Sequence, residues 1–411
     1  MAKNGAGPGA VTGRRPIGLA LAGGGPQGAV YEIGALHALE EALDGVRLHE
    51  LDVYVGVSAG AFIGACLANG LSVPDLSRAV LRRGAGEHFF SPRTFVTPAL
   101  SEWAVSSARV PRLFVQALRD LLRDPDDQTT MGSLSRLAEA LPVAVFQNEP
   151  IRAYLARVFA APGRTDDFRR LSRRLRVVAT DLDSGQPALF GGPGLDHVPI
   201  SQAVQASAAL PGLYPPVEIE GRHYVDGVLL KTLHASVALD DGVGLVLCVN
   251  PIVPIDTARA VEQGVMRRGK LLDRGLPGIL SQTFRTLVHS RLRAGFAKYG
   301  TAYADQDIVL LEPRRDDYRM FFTNIFSFRT RKSICEHAYA ATRRDLLAGY
   351  DEIAPKLARH GLRLRRDVLE DGTRTMWSGL EPPRGRRGSD VARRLDRALD
   401  RVEERLASRD G

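Results

Sequence analysis

Gly56, Val57, Ser58, Ala59 and Gly60 spell Gly-x-Ser-x-Gly, the pattern in which a serine sits at a sharp strand-to-helix turn and glycines remove side chains that would collide there. A serine held in such a turn is a candidate nucleophile toward an ester carbonyl. The pattern is short, and glycine fills 41 of the 411 positions. Its meaning therefore depends on whether the chain also supplies a base and a group to hold an oxyanion.

Two further stretches offer these. The first, Gly23 to Gly28, reads GGGPQG directly after an apolar run and ahead of a helical one. Glycines there let the backbone turn and leave N–H groups beside a helix N-terminus, which stabilises negative charge. The same letters satisfy G-x-G-x-x-G, and Asp44, Glu50 and Asp52 follow some twenty positions on, so a dinucleotide site is an alternative. Such a site has no use for Ser58. The second stretch is Tyr224-Val225-Asp226-Gly227-Val228. A carboxylate at Asp226 within reach of Ser58 would accept its proton and return it to the leaving group, provided burial raises its pKa toward the working pH. Asp-Gly after a strand is otherwise an ordinary turn.

Elements must bring these stretches together. Residues 17–23 form a continuous apolar run closed by glycines, as a buried parallel strand does, and 29–43 follow with apolar residues at helical spacing. Residues 51–58 and 59–70 repeat the strand-then-helix order. This alternation predicts an α/β fold, a parallel-rich central sheet with helices on both faces. The carboxyl ends of adjacent strands in such a sheet open into one crevice, so Gly23–Gly28 and Ser58 are expected to face each other. From 72 to 174 the pattern is mostly helical, and 84–170 reads as a helical insertion beside the sheet. Strand-like runs return at 175–182, 186–190, 222–230, 244–250 and 307–313, with helices expected over 276–300 and 327–350.

In this order and spacing GGGPQG, GVSAG and VDGV, with VVATDLDSGQPALF and ASAALPGLYPPV between the last two, resemble the patatin-like phospholipases, serine lipid acyl hydrolases that use a Ser–Asp dyad. The resemblance covers roughly residues 16 to 255. It implies Ser58 as nucleophile, Asp226 as base, and an oxyanion hole from the backbone of Gly24 and Gly25 with the N–H of Ala59. Gly23, Gly28, Gly56, Gly60 and Gly227 are the remaining motif positions. Two departures stand out: Gln27 occupies a place where family members usually carry Arg or Lys, and Pro26 has no N–H to donate. Val228 replaces the usual small residue after the aspartate motif. A Ser–acid–His triad is the competing arrangement, since His234, His289, His337 and His360 all follow Asp226; none lies in a recognisable local motif. Asp181 and Asp183 are read as turn-forming residues.

The implied organisation is a lead-in at 1–15, a patatin-like catalytic domain at 16–255, a helical and strand completion of the core at 256–355, and an Arg-rich linker with an exposed helix at 356–411. Cys66, Cys248 and Cys335 lie far apart and fit core thiols of a reducing, cytoplasmic compartment rather than a disulfide framework or zinc site. No apolar run reaches the eighteen or so residues of a spanning helix, and the apolar stretch after Arg14 and Arg15 reads as the first core strand, not an export signal. A net charge of +8, from 55 Lys and Arg against 47 Asp and Glu, favours peripheral contact with an anionic membrane. Nothing in the spacing suggests nucleic acid. The expected partner is a lipid or acyl-ester substrate, with neither metal nor organic cofactor. A catalytically silent lipid-binding scaffold on the same fold is the second reading. The acyl donor, regioselectivity and oligomeric state are left open by the sequence.

Overall fold

A computed structural model describes residues 15–81, 97–99, 144–262, 264, 267–269, 271–318, 328–378 and 380. Its centre is a mixed, mostly parallel sheet. Strands β1 (Ile17–Leu21), β3 (Val53–Gly56), β6 (Arg174–Asp181), β10 (Leu245–Val249) and β11 (Asp307–Leu311) run parallel in the order β11-β10-β1-β3-β6. Beyond them β9 (Arg222–Asp226) pairs antiparallel with β6, β8 (Val217–Ile219) with β9, and β7 (Pro187–Phe190) with the other flank of β6.

Both sheet faces are buried, which is why the central strands read as unbroken apolar runs rather than as alternating ones. Leu19, Leu21, Tyr54, Val177 and Leu247 point into one apolar layer, and Ala20, Ala22, Val55, Val178 and Cys248 into the other. Over the first face lie α1 (Gly25–Ala42), α2 (Ala59–Ala68) and the long helix 328–348, with Gly34 of α1 close against the Cys335 backbone and Ala338. Over the second face lie the helix Ala235–Asp240 and the helix Gly275–Ala302, through Val288, Leu292 and Tyr299.

One junction decides where the site forms. β3 pairs with β6 along Arg174–Val177, and β9 pairs with the same flank of β6 along Ala179–Asp181, while β7 holds the opposite flank. β3 and β9 therefore arrive from opposite directions and end against the same gap, Gly56 level with Val177 and Asp226 level with Ala179. Two residues past Gly56 is Ser58. The register alone brings the serine and the carboxylate together.

The C-terminal region differs from its sequence reading. Residues beyond 356 look Arg-rich and linker-like, but Leu357, Leu362, Leu364, Val368, Leu369 and Met376 are buried, and Arg363–Leu364 pairs antiparallel with Leu43–Asp44 after α1. Their apolar side chains are sparse and set among arginines, which conceals them in a composition window. The Arg343 guanidinium holds this segment by donating to the Val368 and Asp371 carbonyls, both at 2.7 Å. Of the insertion expected at 84–170, the helix Glu149–Phe159 and the short pair Thr97–Pro98 with Phe146–Gln147 are seen. The amphipathic stretch 110–124 and the C-terminal helix expected after 388 lie outside the described residues. Cys66, Cys248 and Cys335 are buried free thiols. No helix among the described residues is long and apolar enough to cross a membrane.

Candidate active site

Ser58 stands between β3 and α2 with φ 54 and ψ −118. Positive φ is uncommon for a residue with a side chain and costs of order 1–3 kcal/mol, so it persists only where the surroundings enforce it. The glycines at either side show how. A Cβ at Gly56 would run into the Ala61 backbone, and one at Gly60 into the Leu21 carbonyl of the neighbouring strand. The turn is thus wedged against β1, and only glycine fits on either side of the serine.

The backbone of Ser58 is tied across the gap between β3 and β9. Its N–H donates to the Ser207 hydroxyl at 2.8 Å, and that hydroxyl donates to the Val178 carbonyl at 2.7 Å. Val178 lies in β6 between the last residue paired with β3 and the first paired with β9, so Ser207 satisfies backbone groups that the interrupted ladder leaves open. Asp226 is fixed equally firmly. Its N–H donates to Ala209, and its carbonyl accepts from the Thr180 hydroxyl at 3.1 Å.

Ser58 occupies the N-cap position of α2, yet its side chain makes no cap hydrogen bond. A serine there ordinarily accepts from a backbone N–H of the first turn. Here the hydroxyl lies by Asp226 instead, where it favours the ionised form of that carboxylate. The carboxylate uses Oδ1 to accept the Val228 N–H at 2.9 Å, which caps the short 3-10 turn Gly227–Leu229. Asp226 is 2 % exposed. Burial pushes its carboxyl up to about 7, against the pull of the Val228 N–H and the Ser58 hydroxyl, which favour the ionised form. A carboxylate with that value is poised as a base near neutral pH.

Beside the serine the glycine stretch turns into α1. Ala22 and Gly23 donate their N–H groups to Val249 and Thr232. The next two, Gly24 and Gly25, make no backbone hydrogen bond of that kind among the described residues, and Gly25 opens the helix with φ 60. Ala59 opens α2, so its N–H likewise precedes the first intrahelical bond. Two helix N-termini therefore converge on Ser58, each offering N–H groups and positive dipole ends. Pro26 falls in the first turn of α1, where its missing N–H costs nothing. A narrow apolar slot of about 30 Å³ leads to the serine between Gly25, Ala29, Phe62, Ile151, Val204 and Tyr214. Cavities of about 420 and 490 Å³ lie elsewhere, beside Tyr31 and Tyr339, and neither contains Ser58.

Three of the histidines are engaged with other acids, whereas His234 lies against the backbone of Gly227, next to Asp226. His289 is 3.7 Å from Glu312, His337 2.6 Å from Asp317 and His360 2.9 Å from Asp307. Burial, with help from Lys231, pushes His234 down to about 4. Asp181 accepts from the N–H groups of Asp183 and Ser184 and meets Arg222 at 3.0 Å, so it shapes the turn after β6, as the sequence suggests. Ser207 and Thr180 were not singled out by the sequence. Ser207 lies inside ASAALPGLYPPV, but its role depends on a strand break that no local pattern announces. Among the described residues no cluster of His, Cys, Asp and Glu suits a metal ion.

Comparison with known proteins agrees in kind. A profile described as patatin-like phospholipase matches residues 19–239, which contains every candidate site residue. Uncharacterized NTE family proteins of Mycobacterium bovis and Mycobacterium tuberculosis are 29% identical over 236 residues, 57% of this chain but 30% of theirs. The chain thus spans under a third of those relatives' length. Among solved structures, VipD from Legionella pneumophila aligns over 81% of this chain and 67% of its own, with 16% identity and a TM-score of 0.35. The type III effector ExoU, known from Pseudomonas aeruginosa, aligns over 80% of this chain and 52% of its own, with 16% identity and a TM-score of 0.32. Because the profile spans more than half of its length, the chain belongs to the patatin-like phospholipase family.

Proposed function

We propose that this protein is a serine-dependent lipid acyl hydrolase, a carboxylic ester hydrolase working through a Ser58–Asp226 dyad. The observation that carries this reading is the setting of Ser58, a strained residue at a strand-to-helix turn whose hydroxyl leaves its capping role unfilled and lies beside a buried carboxylate of raised pKa. Ionised Asp226 takes the hydroxyl proton as Ser58 Oγ attacks the ester carbonyl carbon. The carbonyl oxygen becomes an oxyanion, held by the N–H groups of Gly24, Gly25 and Ala59. As the tetrahedral species collapses, the C–O bond to the leaving alcohol breaks, and protonated Asp226 returns the proton to that oxygen. Water then attacks the acyl-serine with Asp226 again as base, releasing the acid and regenerating the hydroxyl.

The catalytic unit is assigned to residues 16–380, because the segment after 356 packs on the same core. The apolar lining beside the serine favours an acyl chain over a charged group, and peripheral contact with an anionic membrane completes the reading. The narrowness of that slot supports a second version, a lipid-binding scaffold without turnover. Hydrolysis of glycerophospholipids and of soluble p-nitrophenyl esters by wild type, Ser58→Ala and Asp226→Asn distinguishes the two. Turnover by wild type, lost in both variants, is expected; equal rates in all three would remove the dyad, and no turnover in a folded wild type would favour the scaffold.

A further inference from the structure

The helix Gly275–Ala302, named α8 here, has 28 residues, about 42 Å at 1.5 Å per residue. The strands it connects, β10 and β11, have five residues each and span roughly 17 Å. Because β10 and β11 are parallel, α8 runs back across the sheet and delivers the chain to the start of β11. Its core residues Val288, Leu292 and Tyr299 lie from the midpoint onward, with Phe284 partly buried one turn before them. The first half therefore stands beyond the carboxyl ends of the strands, the edge at which Ser58 sits. Two tethers fix it there. The Gln282 amide exchanges hydrogen bonds with the Ile255 backbone at 2.8 and 3.2 Å, and the Arg285 guanidinium donates at 3.4 Å to the Val253 carbonyl.

On this projecting half Leu276, Ile279, Leu280 and Leu287 are between 42% and 67% exposed. At 100° per residue they fall within an arc of about 100°, opposite the face that meets the core. The other large aliphatics exposed among the described residues lie on the same edge. Leu272 precedes α8, Leu182 follows β6, and Leu213 and Val145 flank Tyr214 at the slot. Aliphatic surface this concentrated marks a contact site. Its charge indicates the partner. The projecting half of α8 contains no Asp or Glu, and residues 265–274, which lead into it, carry Arg267, Arg268, Lys270 and Arg274 against the single acid Asp273. Two copies meeting through this helix would oppose like charges, whereas an anionic lipid surface complements both the charge and the leucines.

We propose that the outward face of α8, centred on Leu276, Leu280 and Leu287, is the surface by which the protein settles on an anionic phospholipid bilayer with the Ser58 slot turned toward the lipid. This rests on the reading of that slot as a lipid-hydrolysing site, and the test separates the two. Ser58→Ala protein, which leaves the vesicles intact, is sedimented with vesicles of phosphatidylcholine alone or mixed with phosphatidylglycerol, with and without Leu276→Asp, Leu280→Asp and Leu287→Asp together. Binding to the mixed vesicles is expected to exceed binding to phosphatidylcholine by roughly ten-fold and to fall roughly a hundred-fold in the triple variant. In the Ser58 background the triple variant keeps wild-type turnover of p-nitrophenyl butyrate while losing turnover of vesicle lipid. A Leu280→Trp variant is expected to be quenched by bromine-labelled acyl chains. Vesicle binding unchanged by the triple substitution, no binding by the parent, no quenching, or a dimer that the substitutions split would overturn the proposal. Leucine-dependent binding without hydrolysis of any ester would keep the surface and dismiss the catalytic reading.

Discussion

The Ser207 hydroxyl stands between the Ser58 N–H, from which it accepts at 2.8 Å, and the Val178 carbonyl, to which it donates at 2.7 Å. It fills the gap where β3 and β9 both end, and so holds the strained turn without touching the reaction. Ser207→Ala leaves a buried donor and a buried acceptor unpaired, which costs about 1–3 kcal/mol. The expected outcome is a lower thermal midpoint together with a kcat reduced by roughly ten-fold and an almost unchanged KM, since substrate contacts stay and only the nucleophile shifts. Unaltered stability would show that the bridge is not what restrains the turn.

Asp226 links activity to pH. Its carboxyl lies near 7 when folded against 3.8 for an unperturbed group. A base must be ionised, so kcat/KM for a neutral ester is expected to rise with pH, inflect near 7 and level off above it. Stability runs the other way. The folded state binds this proton more tightly, so the contribution is fully present below about 4 and is lost as pH rises through about 7. Asp226→Asn removes the ionisation. Its stability relative to wild type should grow over that window while ester turnover falls by roughly 10²–10⁴. Chemical denaturation of both proteins at several pH values measures this, and parallel profiles would contradict it.

Gly24 and Gly25 are adjacent but not equivalent. A Cβ at Gly24 would stand 2.7 Å from Pro251 Cγ and 2.8 Å from the Gly28 Cα, whereas one at Gly25 meets nothing within 4 Å. Gly24→Ala is expected to lose both folding yield and activity. Gly25→Ala, strained only by its φ of 60, should fold with a penalty of about 1 kcal/mol and show reduced kcat. Equal behaviour of the two in thermal melts and turnover would mean that the turn into α1 is looser than its packing implies.

Much of this was legible in the sequence, for identifiable reasons. Apolar runs buried on both faces announced β1, β3, β6 and β10, and their glycine-marked ends announced the crevice. Ser58 and Asp226 were expected together from motif order, and the structure adds the reason, two strands ending on one flank of β6. The bridge through Ser207 was not legible, because it depends on pairing between distant segments. Nor was the packing of residues 357–380, whose few core side chains, Leu362, Leu364 and Met376, are hidden among charged neighbours. In sequence the outward leucines of α8 look like part of an ordinary helix, since an apolar residue does not by itself reveal which side of the helix meets the core.

A dyad makes the distal histidines dispensable. His289, His337 and His360 are engaged with Glu312, Asp317 and Asp307. Each His→Gln substitution is expected to leave kcat/KM within about two-fold of wild type, within the scatter of substitutions away from the reacting groups. A loss of a hundred-fold or more at one of them would point to a triad.

The most direct test of the central claim is labelling by a fluorophosphonate probe, wild type against Ser58→Ala, with the adduct located by mass spectrometry. The dyad account predicts one adduct on Ser58, absent in the variant and formed faster as pH rises through about 7. A folded wild type that takes no label, with or without anionic vesicles, or an adduct on another serine, would contradict it.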